Sequence, residues 1–523
     1  MRYGLPAIML VIAACGAGPT APAPTLHSAP PAPTVAGALA VPTVLAADIS
    51  SDAPTARVTP PPTGASTPGP TVSPTRSQTA LPFPSGIWAF EAWRRLGIGK
   101  VAFGPDGTAY IAYVDADTYL GRVAALDPHG HVLPGWPVGA SVSGTEIVPM
   151  PDASLLIGEE PESGGYALHR VGRDGRDRAG WPFRLTAPGR GCGRPVVSPD
   201  ATVYLMCRVD VSGGARLYAI GPEGQSRPGW PIQTPEGDVQ LGGDGTVFVE
   251  EPGEYGAPRT LGAYAPDGRR RPGWPLTLPP ETLEIVPGPA GSLLIWRGVP
   301  RVPPEGGLCG WYYSAGVMSV LGPDGRTMPG WPVRAAELSA PVVGPDGTIY
   351  YVTKDQAYAR DLAGKLKPGW PVPVDVGTEA GCMLARPYVR PDGTIYINGG
   401  RGVTALAPDG GTLPGWPVRR PDVIAPRACA TDYTFSPSLG FGPDGVLYQV
   451  ALADDPAGPM LQVSAIDRAG RALPGWPRDV RVGAPGAWAI VEPFGVSPDG
   501  RPYAGLPCDS PARLLVFDRA IGG

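Results

Sequence analysis

The chain has 523 residues, among them 75 Gly, 71 Pro and 13 Trp, and 43% of it is hydrophobic. That much Gly and Pro signals disorder when it is aperiodic, but here it recurs at intervals, and the apolar content suffices for a large core. A net charge of −5, from 42 basic and 47 acidic residues without a block of like sign, argues against a nucleic-acid partner, and four His leave little room for imidazole catalysis or a multi-His metal site.

Met1-Arg2-Tyr3 is a short positive start followed by an apolar run from Leu5 to Ala14. The run is about half the roughly 20 residues that span a bilayer, so residues 1–14 read as an export signal rather than a membrane helix. Its end, Ile12-Ala13-Ala14-Cys15, resembles the bacterial lipobox, which implies lipidation (palmitate-type acylation) at Cys15. Residues 15–81 are Pro, Ala, Thr and Ser with almost no charge, as in Thr59-Pro60-Pro61-Pro62-Thr63. Such a stretch buries too little apolar area to offset its ordering entropy and reads as a disordered tether, with a reach on the order of 200 Å if fully extended. The expected address is outside the cytoplasmic membrane or at the cell surface, held by the lipid.

From residue 82 to 523 three motifs alternate. PGWP, once AGWP, occurs eight times, with Trp136, Trp181, Trp230, Trp274, Trp331, Trp370, Trp416 and Trp476 spaced 39 to 60 residues apart. Between them runs a PDG-type turn, at Asp106, Asp152, Asp200, Asp244, Ala290, Asp346, Asp392, Asp444 and Asp499. An alternating strand ending in a Gly turn, such as Ala124 to Gly130, precedes each PGWP. Asp-Gly between β-branched and aromatic residues marks a hairpin, and a Pro that cannot donate to a ladder suits an outer edge strand. Each unit therefore reads as four antiparallel strands, a to d, and the repeat as an all-β propeller. Nine a–b hairpins meet only eight PGWP strands. The ninth unit ends at Leu514–Arg519 without an outer strand, and Pro84–Trp88 can supply it. The count is nine blades, with eight plus an irregular piece as the alternative.

The stretches Ala405-x-x-Pro408-Asp409-Gly410 with Gly415-Trp416, and Ala465-x-Asp467-x-x-Gly470 with Gly475-Trp476, resemble the repeats of pyrroloquinoline-quinone-dehydrogenase-like propellers. The pattern is also similar to non-enzymatic lipoprotein propellers that act as assembly scaffolds. The resemblance implies the fold for residues 82–523. The quinoenzymes carry adjacent cysteines and a Glu/Asn/Asp calcium site, whereas this chain has no adjacent cysteines and a single Asn, Asn398, so no cofactor is expected.

The repeated Trp read as structural wedges between blades, since the same placement recurs in every unit. Each PDG turn supplies one carboxylate, too few for a calcium loop. His129-Gly130-His131 reads as an exposed turn; no metal site, hydrolase motif or phosphate loop is present, and no catalytic residue is assigned. Six cysteines remain, an even number in an exported chain. Cys192 and Cys207 flank one hairpin turn symmetrically; Cys382 with Cys429, and Cys309 with Cys508, are the further disulfide candidates.

In a propeller the b–c and d–a connections share one face. That face would carry the cysteines, the long insertions and acids after strand b: Asp115, Asp117, Glu159, Glu160, Asp210, Glu250, Glu251, Asp355, Asp454, Asp455 and Asp509, without matching Arg. These acids are the candidate binding rim for a basic or metal-bridged protein or extracellular ligand, or for divalent cations. The functional expectation is a non-catalytic binding scaffold. The alternatives are a polysaccharide-active or lyase-type propeller and, on fold alone, a quinone-dependent dehydrogenase.

Overall fold

Local chemistry at the turns starts each blade. Asp346 Oδ1 accepts the Thr348 N–H at 3.0 Å and Oδ2 accepts the Thr348 hydroxyl at 2.7 Å, while Gly347 supplies the left-handed residue at φ 81°. The same carboxylate-to-N–H closure recurs at Asp106, Asp152, Asp200, Asp244, Asp392 and Asp444. At Ala290 there is no carboxylate; the chain makes a 3-10 turn over Pro289–Gly291, and the Ser292 hydroxyl donates to the Pro289 carbonyl at 2.7 Å instead.

These turns join the two inner strands of nine four-stranded antiparallel sheets arranged as the blades of a propeller. The computed structural model describes residues 86–520 except 93–97, 116–119, 141–145, 161–164, 186–190, 210–213, 252–257, 280–281, 302–311, 336–337, 377, 380–382, 385, 400–401, 420–438, 454, 484–493 and 507–511. The chain divides into Met1–Pro82 and Phe83–Gly523, and the first unit, with Cys15 and the tether, lies outside the described residues. Blade 6 shows the pattern from inside outward: Val342–Val343, Ile349–Val352, Gln356–Arg360 and Val372–Pro373. One small sheet, Thr378–Glu379 paired with Met383–Leu384, sits in the connection from blade 6 to blade 7 and has no counterpart in the motif pattern.

The ninth blade is completed by the N-terminal strand Ile87–Ala92, which pairs antiparallel with Ala512–Phe517 from Ile87↔Phe517 to Ala92↔Ala512. The strand begins later and runs further than the Pro84–Trp88 segment suggested. It carries no Pro after its Trp, so pairing includes Trp88 and continues for six residues. In the other eight blades the Trp-Pro bond is cis and the outer strand starts after the Pro, as in Val138–Ala140 behind Pro137. The missing N–H therefore falls just ahead of the ladder instead of inside it, which corrects the expectation that PGWP itself is strand.

Apolar burial lies between blades. Tyr350, Val352, Ala357, Ala359 and Trp370 of blade 6 pack on Ile395, Ile397 and Leu406 of blade 7, and comparable layers recur around the ring. Each fully buried Val, Leu or Ile at such a junction contributes about 1.5–3 kcal/mol, so the ring is held by its junctions as much as by its sheets.

Candidate functional site

Antiparallel order gives the propeller two chemically distinct faces. The a–b and c–d turns emerge on one, here the turn face; the b–c and d–a connections emerge on the other, the connection face.

On the turn face the repeat residues bind one blade to the next. All eight PGWP tryptophans are between 6 and 9% exposed. Seven donate Nε1–H to a carbonyl in the c–d turn of the following blade: Trp136 to Arg173, Trp181 to Pro222, Trp230 to Pro266, Trp274 to Pro323, Trp331 to Leu362, Trp370 to Pro408 and Trp416 to Arg468, at 2.8–3.1 Å. Trp88 makes the same bond to Pro128, 3.1 Å, and so links blade 9 to blade 1. An aromatic from strand b meets the indole edge-on, as in Tyr204–Trp230 at 5.5 Å and Phe248–Trp274 at 5.7 Å.

The Gly before each Trp is needed for close approach. A Cβ at Gly369, φ 85°, would sit 2.1 Å from the Asp409 carbonyl oxygen of the next blade, and Gly135, Gly180 and Gly330 meet the same obstacle. Only Gly475 among these faces open space, because blade 9 has no c–d turn of its own.

The turn aspartates are paired as well: Asp200 with Arg227 at 2.9 Å, Asp244 with Arg271 at 2.8 Å, Asp152 with Arg170 at 2.9 Å and Asp444 with Arg519 at 2.9 Å. Hydrogen bonds from Ser198, with those from Thr202 and the Arg227 charge, hold the Asp200 carboxyl below the usual range. Burial pushes the Tyr110 phenol up to about 12, with help from Asp106, and its hydroxyl donates to the Ala153 carbonyl of the next blade at 3.2 Å. His129 and His131 lie in an exposed c–d turn, with His131 Nδ1 3.2 Å from Asp127.

On the connection face the described sequence-derived acids fall in five blades, each group at or just past the end of strand b of its own blade. The Asp115 N–H donates to the Leu120 carbonyl, that of Glu251 to Thr260, and the Asp355 carbonyl accepts from Val374. The expectation that these acids lack bases is corrected. Arg259 pairs with Glu250, Arg481 with Asp455 at 3.1 Å, and His169 Nε2 lies 3.2 Å from Glu159. The bases come from neighbouring strands, so linear spacing hides them. Burial raises the Glu250 carboxyl against the opposing pull of Arg259, while the Ala457 N–H and Arg481 lower Asp455.

Cys192 and Cys207 form a disulfide with Cα atoms 4.1 Å apart, tying the connection into blade 3 to the end of its second strand. Asp117, Asp210, Asp454, Asp509, Cys309, Cys382, Cys429 and Cys508 lie outside the described residues. Among the described residues no group of three or more His, Cys, Asp and Glu could hold a metal ion.

No protein-family model and no curated protein matches the chain. Solved structures do. It is similar to a eukaryotic initiation factor, at 11% identity over 76% of this chain and 96% of that one, TM-score 0.47. It is similar to virginiamycin B lyase from Staphylococcus aureus, at 11% over 62% and 93%, TM-score 0.31, and to AztD from Citrobacter koseri, at 12% over 72% and 92%, TM-score 0.33. These neighbours concern the propeller fold alone.

Motif spacing missed one cluster. Lys100 of blade 1 pairs with Glu146, which opens blade 2 ahead of its inner strand Ile147–Pro149, and Tyr166 and Glu160 stand beside it. The signal that could have exposed it is Gly158, a glycine inside the strand Leu155–Glu159, where a close approach is the usual cause.

Proposed function

We propose that this protein is a non-catalytic binding scaffold, a quinoprotein-like repeat without quinone, lipidated at Cys15 and carried on the 15–81 tether outside the cytoplasmic membrane. Its connection face takes a protein or extracellular ligand. The observation that carries the reading is the use of the repeat. The indole N–H groups, turn glycines and turn carboxylates are engaged in holding blade to blade or closing turns, which leaves the unlike loops of the connection face to differ in what they touch. The chain enters the outer strand Ile87–Ala92 on the turn face, since that strand runs from the c–d side outward as the other outer strands do.

The test is a pull-down from envelope extract with full-length protein. Charge reversal of Glu159, Glu160, Glu250 and Glu251 should abolish a salt-sensitive partner, and reversal of Arg269, Arg270 and Arg326 on the turn face should not. The opposite pattern assigns the wrong face. A Cys15→Ala variant should leave the membrane fraction. Alcohol-dependent dye reduction after loading with pyrroloquinoline quinone and calcium would replace the scaffold with an enzyme.

A further inference from the structure

The connection-face end of blade 2 holds a polar group that the fold itself does not use. Tyr166 is 6% exposed, and its hydroxyl has no hydrogen-bond partner among the described residues. The reason for its position is visible in the sheet. The Gly158 N–H donates to the Glu146 carbonyl at 2.9 Å, setting those residues side by side on adjacent strands. Tyr166, on the next strand, lays its ring across Gly158: a Cβ there would meet the phenol oxygen at 2.3 Å and lie 3.6 Å from the Glu146 Cβ. The missing side chain at 158 is what lets the hydroxyl reach across toward Glu146.

Glu160 follows Gly158 by two residues, one past the end of the strand Leu155–Glu159, and burial together with the Glu146 and Glu160 charges pushes the phenol's pKa up. Glu160 Oε1 in turn lies 3.4 Å from where a Cβ on Gly191 would be, next to Cys192 and its bond to Cys207. A buried hydroxyl oxygen thus has two carboxyl-bearing side chains beside it, next to a disulfide-braced connection. The protein shows what suits one of them, because the Lys100 ammonium, nearly half exposed, already sits on Glu146.

We propose that Glu146, Glu160 and the Tyr166 hydroxyl form a recognition site for a primary ammonium group, supplied by a lysine of a docking protein or by a free polyamine. The chemistry fits the donor count. An ammonium carries three N–H donors and no acceptor, and this site offers three oxygens from three different side chains. A guanidinium prefers the planar fork of a single carboxylate. Lys100 competes for Glu146 and so acts as an internal occupant that an incoming ammonium shares or displaces.

The inference rests on the connection face being the binding face, but its test stands apart from the pull-down. Full-length protein is titrated calorimetrically with trilysine amide, with spermidine and with fully acetylated trilysine. Trilysine and spermidine should bind and the acetylated peptide should not. Tyr166→Phe, which keeps the ring, and Glu160→Gln should each weaken binding about tenfold with the melting temperature checked alongside. Lys100→Gln should tighten it severalfold, which a merely structural role for the cluster does not produce. Tighter trilysine than spermidine assigns the site to a protein lysine; the reverse assigns it to a polyamine. Equal binding of the acetylated peptide, or unchanged affinity in Tyr166→Phe, overturns the site. If trilysine fails to bind while the Glu159/Glu160/Glu250/Glu251 reversal still loses the partner, this inference falls and the scaffold reading stands. If trilysine binds and that reversal leaves the partner in place, the site stands and the docking assignment falls.

Discussion

The turn face and the connection face are built from the same nine sheets yet obey different rules. On the turn face one device is copied around the ring: an indole N–H reaches a carbonyl of the next blade, a glycine makes room, and a turn carboxylate finds a base. On the connection face the described features differ from blade to blade. One connection is pinned by a disulfide, one carries an extra two-stranded sheet, and the acids take bases from whichever strand lies nearest. Repetition marks residues committed to assembly; its absence marks the surface left to vary. Where a propeller is uniform, a mutation should cost stability, and where it is irregular a mutation should change binding first.

The sharpest break of that contrast is at a repeated tryptophan. Trp274 is 6% exposed and donates to Pro323 at 2.9 Å. Trp274→Ala should cost about 3–5 kcal/mol, and Trp274→Phe, which keeps an aromatic but orphans the Pro323 carbonyl, about 1–2 kcal/mol, both read by denaturant unfolding.

Next come two glycines in the same motif. Gly369→Ala would drive a methyl into the Asp409 carbonyl, whereas Gly475→Ala meets nothing within 4 Å and bears only the backbone cost of φ 77°. The second should cost about 1 kcal/mol and the first clearly more; equal losses would mean that the close approach between blades is not what selects glycine.

The smallest effect is one of pH. The depressed Asp200 carboxyl stabilises the folded state above its unfolded pKa of about 4 and ceases to as pH falls through its lower folded value. Asp200→Asn should therefore lower the melting temperature at pH 7 and match the wild type near pH 2. On the connection face, where the Ala457 N–H and Arg481 lower the exposed Asp455 carboxyl, Asp455→Asn should show the same sign with a smaller shift at pH 7.

Much of the fold was legible because its signals are local. A PDG turn and the strand that follows can be read from five or six residues, and the recurrence of Trp136 to Trp476 turned a hairpin into a propeller. The unpaired last hairpin even pointed to the N-terminal strand as its partner, although the boundaries moved to Ile87–Ala92. The site was less legible because its contacts are not local. Arg259 reaches Glu250 across a strand pair, and Lys100 reaches Glu146 from the preceding blade. Glu146 carries no motif at all, and Tyr166 looks like one more core aromatic until the glycine beneath its ring is noticed. The Cys192–Cys207 bond, within one hairpin, was the long-loop feature that spacing could reach.

Closure of the ring by Ile87–Ala92 also decides where the molecule gives way under tension. Any pull on the chain ahead of Gly86 arrives first at this strand. Here Asp518 N–H and an Arg478 guanidinium N–H both hold the Gly86 carbonyl, at 2.7 and 2.9 Å. A force along the strand loads its whole ladder with Ala512–Phe517 at once, while a force across it opens the pairs one at a time from Ile87. The last strand to complete the circle is therefore its mechanical fuse: loss of Ile87–Ala92 would strip Trp88 from Pro128 and open the junction between the ninth blade and the first.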